Sequence, residues 1–389
     1  MEQRNTYRVT SIDILRGLVM IIMALDHTRD FFHATAITDD PLNLATTTVP
    51  LYFTRWITHF CAPVFVFLSG TSAYLASKNK TKAEASFFLI KRGFWLVLME
   101  MAVITLALTF NPIYNVIIWQ VIWAIGWSMI VLGLLIRFPF YTVLITGLIL
   151  FFGHDLLDHM TLPEKGFAGN LIKALFTARG TILPVSGSHF IGIFYAILPW
   201  TGVMLLGYSA GYWFRKEYSP IKRKQILLTT GISLIILFII LRFFNWYGEP
   251  VPWDKNQFLS FIKTSKYPPS LLYLCLTLGP ALVVLAYLEN VHTSWSYVVS
   301  VYGRVPFFYY VLHFYLLHTL LVIIFFATGH SSSEIIDRTV PFLFRPAHFG
   351  FGLGVVYTIW LSVVAVLYLP CRWFNKYKTS HSQWWLKYL

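Results

Sequence analysis

Long runs of apolar residues dominate the chain, and short polar or basic segments separate them. An α-helix crosses a hydrocarbon core of ~30 Å in about 20 residues, and about ten runs approach or exceed this length. They lie at residues 11–32, 53–77, 93–110, 113–136, 139–153, 190–214, 226–244, 270–288, 303–328 and 349–370. The pattern predicts an all-α integral membrane protein, built as a bundle of about ten transmembrane helices.

The composition agrees with this pattern and excludes other classes. Of the 389 residues, 57% are hydrophobic and only 12% are charged, whereas soluble domains carry roughly 25% charged residues. This excludes a soluble globular enzyme and a disordered chain. Polar residues follow the first apolar run too closely for a cleavage site, so we expect an uncleaved first helix. Without internal repeats, one polytopic domain over residues 1–389 is the simplest organisation.

The basic residues cluster in the connections between the predicted helices. The net charge is +13. With the N-terminus inside, the inner connections hold 18 Lys and Arg residues, among them Arg4 and Arg8, and the outer connections hold 8, among them Arg179 and Arg338. The positive-inside rule therefore places both termini in the cytoplasm. The cations form no single basic face, which argues for the lipid bilayer and against nucleic acid as a partner.

The first predicted helix carries ionisable residues, which are costly inside a membrane and therefore indicate function. Arg16 and His27 are eleven residues apart, which is three helical turns plus about 20°, or roughly 16 Å along the axis. Both therefore lie on one face, and Asp26 flanks His27. The alternative for Asp13 and Arg16 is a buried ion pair that only locks helices together.

A histidine beside a carboxylate can act as a general base for an acceptor hydroxyl or amine, or can itself be acylated. We assign this catalytic role to His27, with Asp26 or Asp30 as the orienting carboxylate. His33 and His59 are rival histidines, and a purely structural role is the alternative for each. The candidate binding residues for donor or acceptor are Arg16, Arg29, Arg55, Lys91, Arg92, Arg304 and His313. Three cysteines without CxxC spacing predict no metal site.

Other intramembrane residues give structural expectations. Pro63 is expected to bend the second helix and make room for a cavity. Glu100 lies in the third predicted helix and is expected to have an Arg or His partner. Trp119, Trp123 and Trp127 recur at four-residue spacing in the fourth predicted helix, a stripe more typical of packing than of ligand binding. The long polar segments 33–52, 154–189 and 245–269 fall on the predicted outer side and suit a polar ligand such as a sugar.

Several segments resemble a known group of enzymes. The R-x10-H pattern from Arg16 to His27 resembles the transmembrane acyltransferases, namely acyltransferase family 3 and the lysosomal heparan-alpha-glucosaminide N-acetyltransferase group. The segments that look like the bacterial branch of the latter are Ser11–Gly17, Ala62–Gly70, Leu198–Tyr208, Lys266–Leu271, Thr277–Pro280 and Gly303–His313.

The resemblance implies transfer of an acetyl group from cytosolic acetyl-CoA, the donor co-substrate, to a hydroxyl or amine of an extracytoplasmic sugar or glycan. It implies a bacterial inner membrane and a cell-envelope acceptor. Basic residues at the inner face would hold the CoA phosphates. The animal branch has Asn at the position of His27 and its active histidine in the following loop, so His33 and His59 stay rivals to His27.

Two other functions are compatible with the sequence. A transporter or flippase for a polar solute would use the intramembrane Arg and His residues as substrate and proton sites, and a membrane sensor or scaffold is a third option. The sequence leaves open the acceptor, N- or O-acylation, a covalent acyl-enzyme and the oligomeric state, including a homodimer.

Overall fold

The computed structural model describes residues 9–163, 165–178, 181–337 and 339–388, and most of them are helical. The α-helices are α1 (Thr10–Phe32), α2 (Val49–Thr58), α3 (Cys61–Ser77), α4 (Lys82–Met99), α5 (Thr105–Thr109), α6 (Val121–Leu135), α7 (Phe140–Gly153), α8 (Gly166–Ile172), α9 (Ile197–Ala210), α10 (Pro220–Phe244), α11 (Phe258–Ile262), α12 (Leu271–Leu288), α13 (Ser294–Arg304), α14 (Pro306–Ala327) and α15 (Leu353–Ser380). Shorter π and 3₁₀ segments are Glu100–Ile104, His154–His159, Lys173–Thr177, Gly211–Phe214, Ser332–Glu334 and Trp384–Lys387. Arg4, Arg8, Arg179 and Arg338 lie outside the described residues.

Six helical segments in the described part of the chain are long and apolar enough to cross a membrane. They are Val49–Ser77, Phe140–His159, Pro220–Phe244, Leu271–Leu288, Pro306–Ala327 and Leu353–Ser380. These segments agree with an integral membrane protein. α1, with 23 residues, is also long enough, but it carries five Asp and Arg residues. The count of ten spans and the cytoplasmic location of both termini stay predictions.

A small β-sheet departs from the all-α expectation. Its strands are β1 (Val116–Trp119), β2 (Thr181–Ser186) and β3 (His189–Ile193), in the order β1-β3-β2. β1 runs parallel to β3, with Val116 opposite Phe190, and β2 runs antiparallel to β3. The apolar run 113–136 is therefore not one helix, and Trp119 lies on a strand. A short apolar strand cannot be told from a buried helix by its pattern alone.

The second predicted helix is broken, but not at its proline. α2 ends at Thr58, and α3 begins at Cys61. Pro63 lies in the first turn of α3, where a missing N–H costs no helical hydrogen bond. The break instead places His59 at the junction of the two helices, where its side chain is buried.

The third predicted helix begins about ten residues earlier than its apolar run. Thr81 forms a capping box with Glu84: the Thr81 hydroxyl accepts from the Glu84 N–H, and the Glu84 carboxylate accepts from the Thr81 N–H at 2.8 Å. Such a box starts a helix irrespective of hydropathy. Lys91 and Arg92, predicted to lie in a cytoplasmic connection, are therefore inside α4.

α1 is surrounded by other helices. It packs against α2, α3, α12, α13, α14 and α15. The contact with α13 is the closest, because a Cβ on Gly17 would collide with the backbone of Val299, and a Cβ on Gly303 would collide with the backbone of Asp13. The two glycines thus bring the backbone of α13 against the N-terminal half of α1.

Candidate active site

Three cavities follow one another along α1. The inner cavity, about 140 Å³, lies beside Arg16; the small cavity, about 30 Å³, lies beside His27; the vestibule, about 640 Å³, lies beyond the C-terminal end of α1. Phe65 lines both the inner and the small cavity, and Lys266 lines both the small cavity and the vestibule. The three cavities therefore form one interrupted path through the bundle.

The inner cavity is lined by four cations from four helices or their junctions. They are Arg16, Arg92, Arg304 and Lys378. Arg16 donates to the Ser72 hydroxyl at 2.6 Å and to the Gly303 carbonyl at 3.0 Å. Oδ1 of Asp13 lies 3.3 Å from Nη1 of Arg16, and Oδ2 of Asp13 lies 3.8 Å from Nε of Arg304. Among the described residues, Asp13 is thus a carboxylate close to this group of cations, and a cavity lined by four cationic side chains suits an anionic ligand.

Not every predicted basic residue reaches this cavity. Arg92 lines it, and its buried Nε has no hydrogen-bond partner in the described part of the chain. Lys91 is exposed, and its ammonium lies 4.2 Å from the centroid of the Phe87 ring. Lys378, from the last turn of α15, was not among the predicted site residues, because its neighbours in sequence are also basic and suggested only topology.

His27 lines the small cavity, and another histidine holds it in place. Nδ1 of His27 lies 2.6 Å from Nε2 of His313, and Nδ1 of His313 lies 3.2 Å from the Tyr309 carbonyl oxygen. A carbonyl only accepts, so a neutral His313 carries its proton on Nδ1 and accepts at Nε2. His27 then donates from Nδ1 and keeps the lone pair of Nε2 free for chemistry.

The carboxylates near His27 bond to arginines. Asp26 accepts from Arg55 through both of its oxygens at 2.6 Å and from Arg29 at 3.0 Å. Arg29 also donates to Asp30 at 2.5 Å. These four residues carry zero net charge, which suits a buried network. Asp26 and Asp30 were predicted to orient His27; among the residues described here, its imidazole instead donates from Nδ1 to Nε2 of His313.

The vestibule is polar. Its ionisable and amide-bearing lining residues are Asp40, Asn43, Arg55, His59, Arg242, Glu249, Gln257, Lys263 and Lys266. Glu249 accepts from the Ser265 N–H at 3.0 Å and from the Ser270 hydroxyl at 2.7 Å. Burial raises the pKa of Glu249 above its ordinary value. Arg242 donates to four backbone carbonyls of the segment 251–263, which fixes the vestibule wall.

The three candidate histidines occupy different places. His27 lines the small cavity, whereas His59 lines the vestibule, where its buried Nδ1 has no partner among the described residues. His33 follows the end of α1, and its carbonyl accepts from Arg345 at 2.7 Å. Burial lowers the pKa of the His33 imidazole. His27 is therefore the histidine that stands between the inner cavity and the vestibule.

The small cavity contains polar residues that the sequence did not single out as site residues. Its lining residues with a side-chain nitrogen or oxygen are Asp26, His27, Thr58, Gln120, Tyr195, Lys266 and Tyr310. Lys266 is the first residue of one of the segments that resemble the family, so the sequence did offer a signal for it. Tyr195 lies in none of these segments, and the sequence offered no signal for it. Glu100 was expected to pair with Arg or His; instead it accepts from the Gln120 N–H at 2.9 Å, which fixes the start of α6.

The comparison with protein families finds a matching family model. The family model described as "Heparan-alpha-glucosaminide N-acetyltransferase, catalytic" matches residues 8–243, which is more than half of the chain. The match includes Arg16 and His27, whereas Lys266 and His313 lie beyond its end. A search of curated proteins finds no match to the chain.

Proposed function

The chain belongs to the heparan-alpha-glucosaminide N-acetyltransferase catalytic family, and from this premise we propose that it transfers an acetyl group from cytosolic acetyl-CoA to a hydroxyl or amine of an extracytoplasmic sugar or glycan. The observation that carries the proposal is the position of His27. It lies in the small cavity, between a cation-lined cavity and a polar vestibule.

The inner cavity is the donor side of the proposal. CoA carries several phosphate charges, and Arg16, Arg92, Arg304 and Lys378 present cationic donors to a single cavity. Guanidinium groups bind phosphate in a bidentate, charge-assisted manner. An extended pantetheine arm would run along α1, past Phe65, and bring the thioester to His27. The Arg16 end of the bundle then faces the cytoplasm.

The vestibule is the acceptor side. Its amide, hydroxyl and charged side chains can pair with the hydroxyl and amine groups of a sugar, and its volume of about 640 Å³ lies in the range of small-molecule sites. The acceptor group would enter past Lys266, which borders both the vestibule and the small cavity.

The tautomer of His27 supports its role as a general base. Nε2 takes the proton of the acceptor as its oxygen or nitrogen attacks the thioester carbonyl carbon, and Nδ1–H stays bonded to His313. The C–S bond then breaks with its electron pair going to sulfur, and the thiolate takes the proton from Nε2. In a covalent route, the same lone pair attacks the carbonyl carbon first, and the C–S bond breaks to release the CoA thiolate. The acceptor then takes the acetyl group from His27, and its proton goes to the thiolate.

Transfer by the purified protein tests the proposal. Detergent-solubilised protein is mixed with acetyl-labelled acetyl-CoA and a panel of amino sugars and glycans. We expect wild-type transfer and a loss of at least ~10² in kcat for His27→Gln, whereas His33→Gln, which lies outside all three cavities, stays active. Absence of transfer by the wild type, or full activity of His27→Gln, contradicts the proposal; loss confined to His59→Gln moves the base to His59.

A solute pathway is the second candidate, because the three cavities reach from one end of the bundle towards the other. A measurement of CoA binding distinguishes the acetyltransferase from the transporter. A rise in unfolding temperature on adding CoA favours the enzyme, since a ligand stabilises the state that it binds. Proton-coupled uptake of a polar solute without any effect of CoA favours the transporter.

A further inference from the structure

The hydroxyl of Tyr310 is a buried donor without a partner. Tyr310 is 1% exposed, and in the described part of the chain its hydroxyl oxygen makes no hydrogen bond. Buried tyrosine hydroxyls ordinarily find a partner, because an unpaired one loses its hydration without compensation. Tyr310 also lines the small cavity together with His27. An unpaired donor at such a place calls for a ligand atom.

α14 brings Tyr310 and the partner of His27 to one face. Tyr310 and His313 are three residues apart, so their side chains are neighbours on the helix. The Tyr310 ring meets the His27 ring edge-on, with centroids 6.3 Å apart and planes at 82°. One helix therefore fixes the imidazole of His27 through His313 and places a phenolic O–H beside it.

We propose that Tyr310 is a catalytic residue of this site, whose O–H donates a hydrogen bond to the carbonyl oxygen of the acyl donor; the inference rests on the transfer proposed above. As the acceptor attacks the carbonyl carbon, the π-electron pair of the C=O bond moves to oxygen. Tyr310 keeps its proton and stabilises the oxyanion. When the carbonyl re-forms, the C–S bond breaks, and sulfur takes the acceptor's proton from His27.

The charges around the small cavity favour the same assignment. Arg55 forms an ion pair with Asp26, and Arg29 forms ion pairs with both Asp26 and Asp30. Lys266 is buried and lines the cavity itself, so it adds positive potential where negative charge develops on the carbonyl oxygen. Preorganised donors in a site with little water stabilise such an oxyanion strongly.

Substitution of two buried tyrosines tests the assignment. Tyr310→Phe removes only the hydroxyl, and we expect kcat to fall by ~10²–10³ while the Kd for CoA is unchanged. Tyr302→Phe is the control, because Tyr302 is also buried, its hydroxyl donates to the Val364 carbonyl, and it lines none of the three cavities. Normal turnover by Tyr310→Phe overturns the assignment, and so does an equal loss in both variants.

A spectroscopic measurement reports on the contact itself. Acetyl-CoA labelled with ¹³C at the thioester carbonyl is bound to the His27→Gln variant, which prevents turnover, and the carbonyl stretch is measured by infrared difference spectroscopy. We expect a lower frequency than in water, and loss of this shift in the Tyr310→Phe double variant. If the double variant shows the same carbonyl frequency as His27→Gln alone, the Tyr310 assignment is overturned while the proposed function stands. A wild-type protein that binds no acetyl-CoA overturns the proposed function as well.

Discussion

At the scale of single residues, the contact between His27 and His313 determines which imidazole nitrogen is basic. The Tyr309 carbonyl fixes the proton of His313, and His313 in turn fixes the proton of His27. In the proposed mechanism, this chain of two fixed protons replaces the carboxylate that orients the base in many hydrolases. It also leaves Asp26 with a different role, which is to neutralise Arg55 and Arg29 beside the site.

Replacing His313 by Phe tests this arrangement. The ring is kept, but the acceptor for Nδ1–H of His27 is lost, so the imidazole is free to take the other tautomer or to rotate. We expect kcat to fall by ~10²–10⁴, the range for loss of positioned acid–base catalysis, with little change in the Kd for CoA. Steady-state kinetics and calorimetric CoA binding measure the two effects.

His318→Phe is the control for losing a buried histidine from the same helix. His318 lies within hydrogen-bond distance of the carbonyls of Ala107 and Leu343 and has no hydrogen bond to His27. We expect a loss of thermal stability without the specific loss of kcat. A similar kcat loss in both variants, or none in His313→Phe, would assign His313 a structural role only.

Some of this site was predictable from single residues. The spacing of Arg16 and His27 placed both on one face of α1, and the structure has them lining successive cavities along that helix. The partner of His27 was not predictable, because His313 is 286 residues away in sequence and its spacing carries no signal. The same holds for Tyr310, whose importance depends on an unpaired hydroxyl that only the packed structure reveals.

At the scale of elements, the contact of α1 with α13 positions the donor side. Gly17 and Gly303 allow the two backbones to touch. The close approach places the Gly303 carbonyl where Arg16 donates to it at 3.0 Å, and it sets Arg304 near Asp13. Two of the four cations of the inner cavity therefore depend on this helix contact.

Replacing Gly303 by Ala tests that dependence. The added Cβ collides with the backbone of Asp13, so the helices must separate. We expect a loss of ~1–3 kcal/mol of stability, the usual cost of overpacking, together with weaker CoA binding. Thermal unfolding in detergent, with and without CoA, measures both effects.

Gly354→Ala is the matched control in α15. In the described part of the chain, no atom beyond the neighbouring turn of α15 itself lies within 4 Å of a Cβ at this position, and Ala in a helix is favoured over Gly by up to ~1 kcal/mol. We expect equal or higher stability and unchanged CoA binding. Unaltered CoA binding by a folded Gly303→Ala variant would show that the helix contact does not set the cation positions.

The sequence predicted most helices but not their interruptions. The long apolar runs that became α7, α10, α12, α14 and α15 were identified because length and hydropathy suffice for an ordinary span. The run 113–136 was misassigned, because β1 is too short for its apolar pattern to differ from that of a helix. The break between α2 and α3 at His59 was not predicted, because the bend was expected at Pro63, which lies within the first turn of α3.

At the scale of the whole molecule, the proposed chemistry requires the two large cavities to open on opposite sides of the membrane. The inner cavity is lined by Lys378 near the end of α15, and the vestibule is lined by Ala45 in the segment after α1. Donor and acceptor would then approach His27 from different compartments and meet only at the small cavity.

Cysteine labelling in sealed membrane vesicles tests this sidedness. The three native cysteines are buried, so a membrane-impermeant maleimide is expected to leave the wild type unlabelled. We expect Ala45→Cys to react only from the extracytoplasmic side and Ser380→Cys only from the cytoplasmic side, since both positions are exposed. Labelling of both from one side would contradict the proposed topology.

The small size of the cavity beside His27 also bears on ion leakage across the membrane. With a volume of about 30 Å³, this cavity holds on the order of two water molecules, which in the described part of the chain is a narrow connection between the inner cavity and the vestibule. Moving one charge across a membrane potential of ~100 mV is worth about 2.3 kcal/mol. An enzyme that hands a neutral acetyl group across this constriction performs its reaction without a leak of protons or ions, and the energised membrane around it keeps its potential.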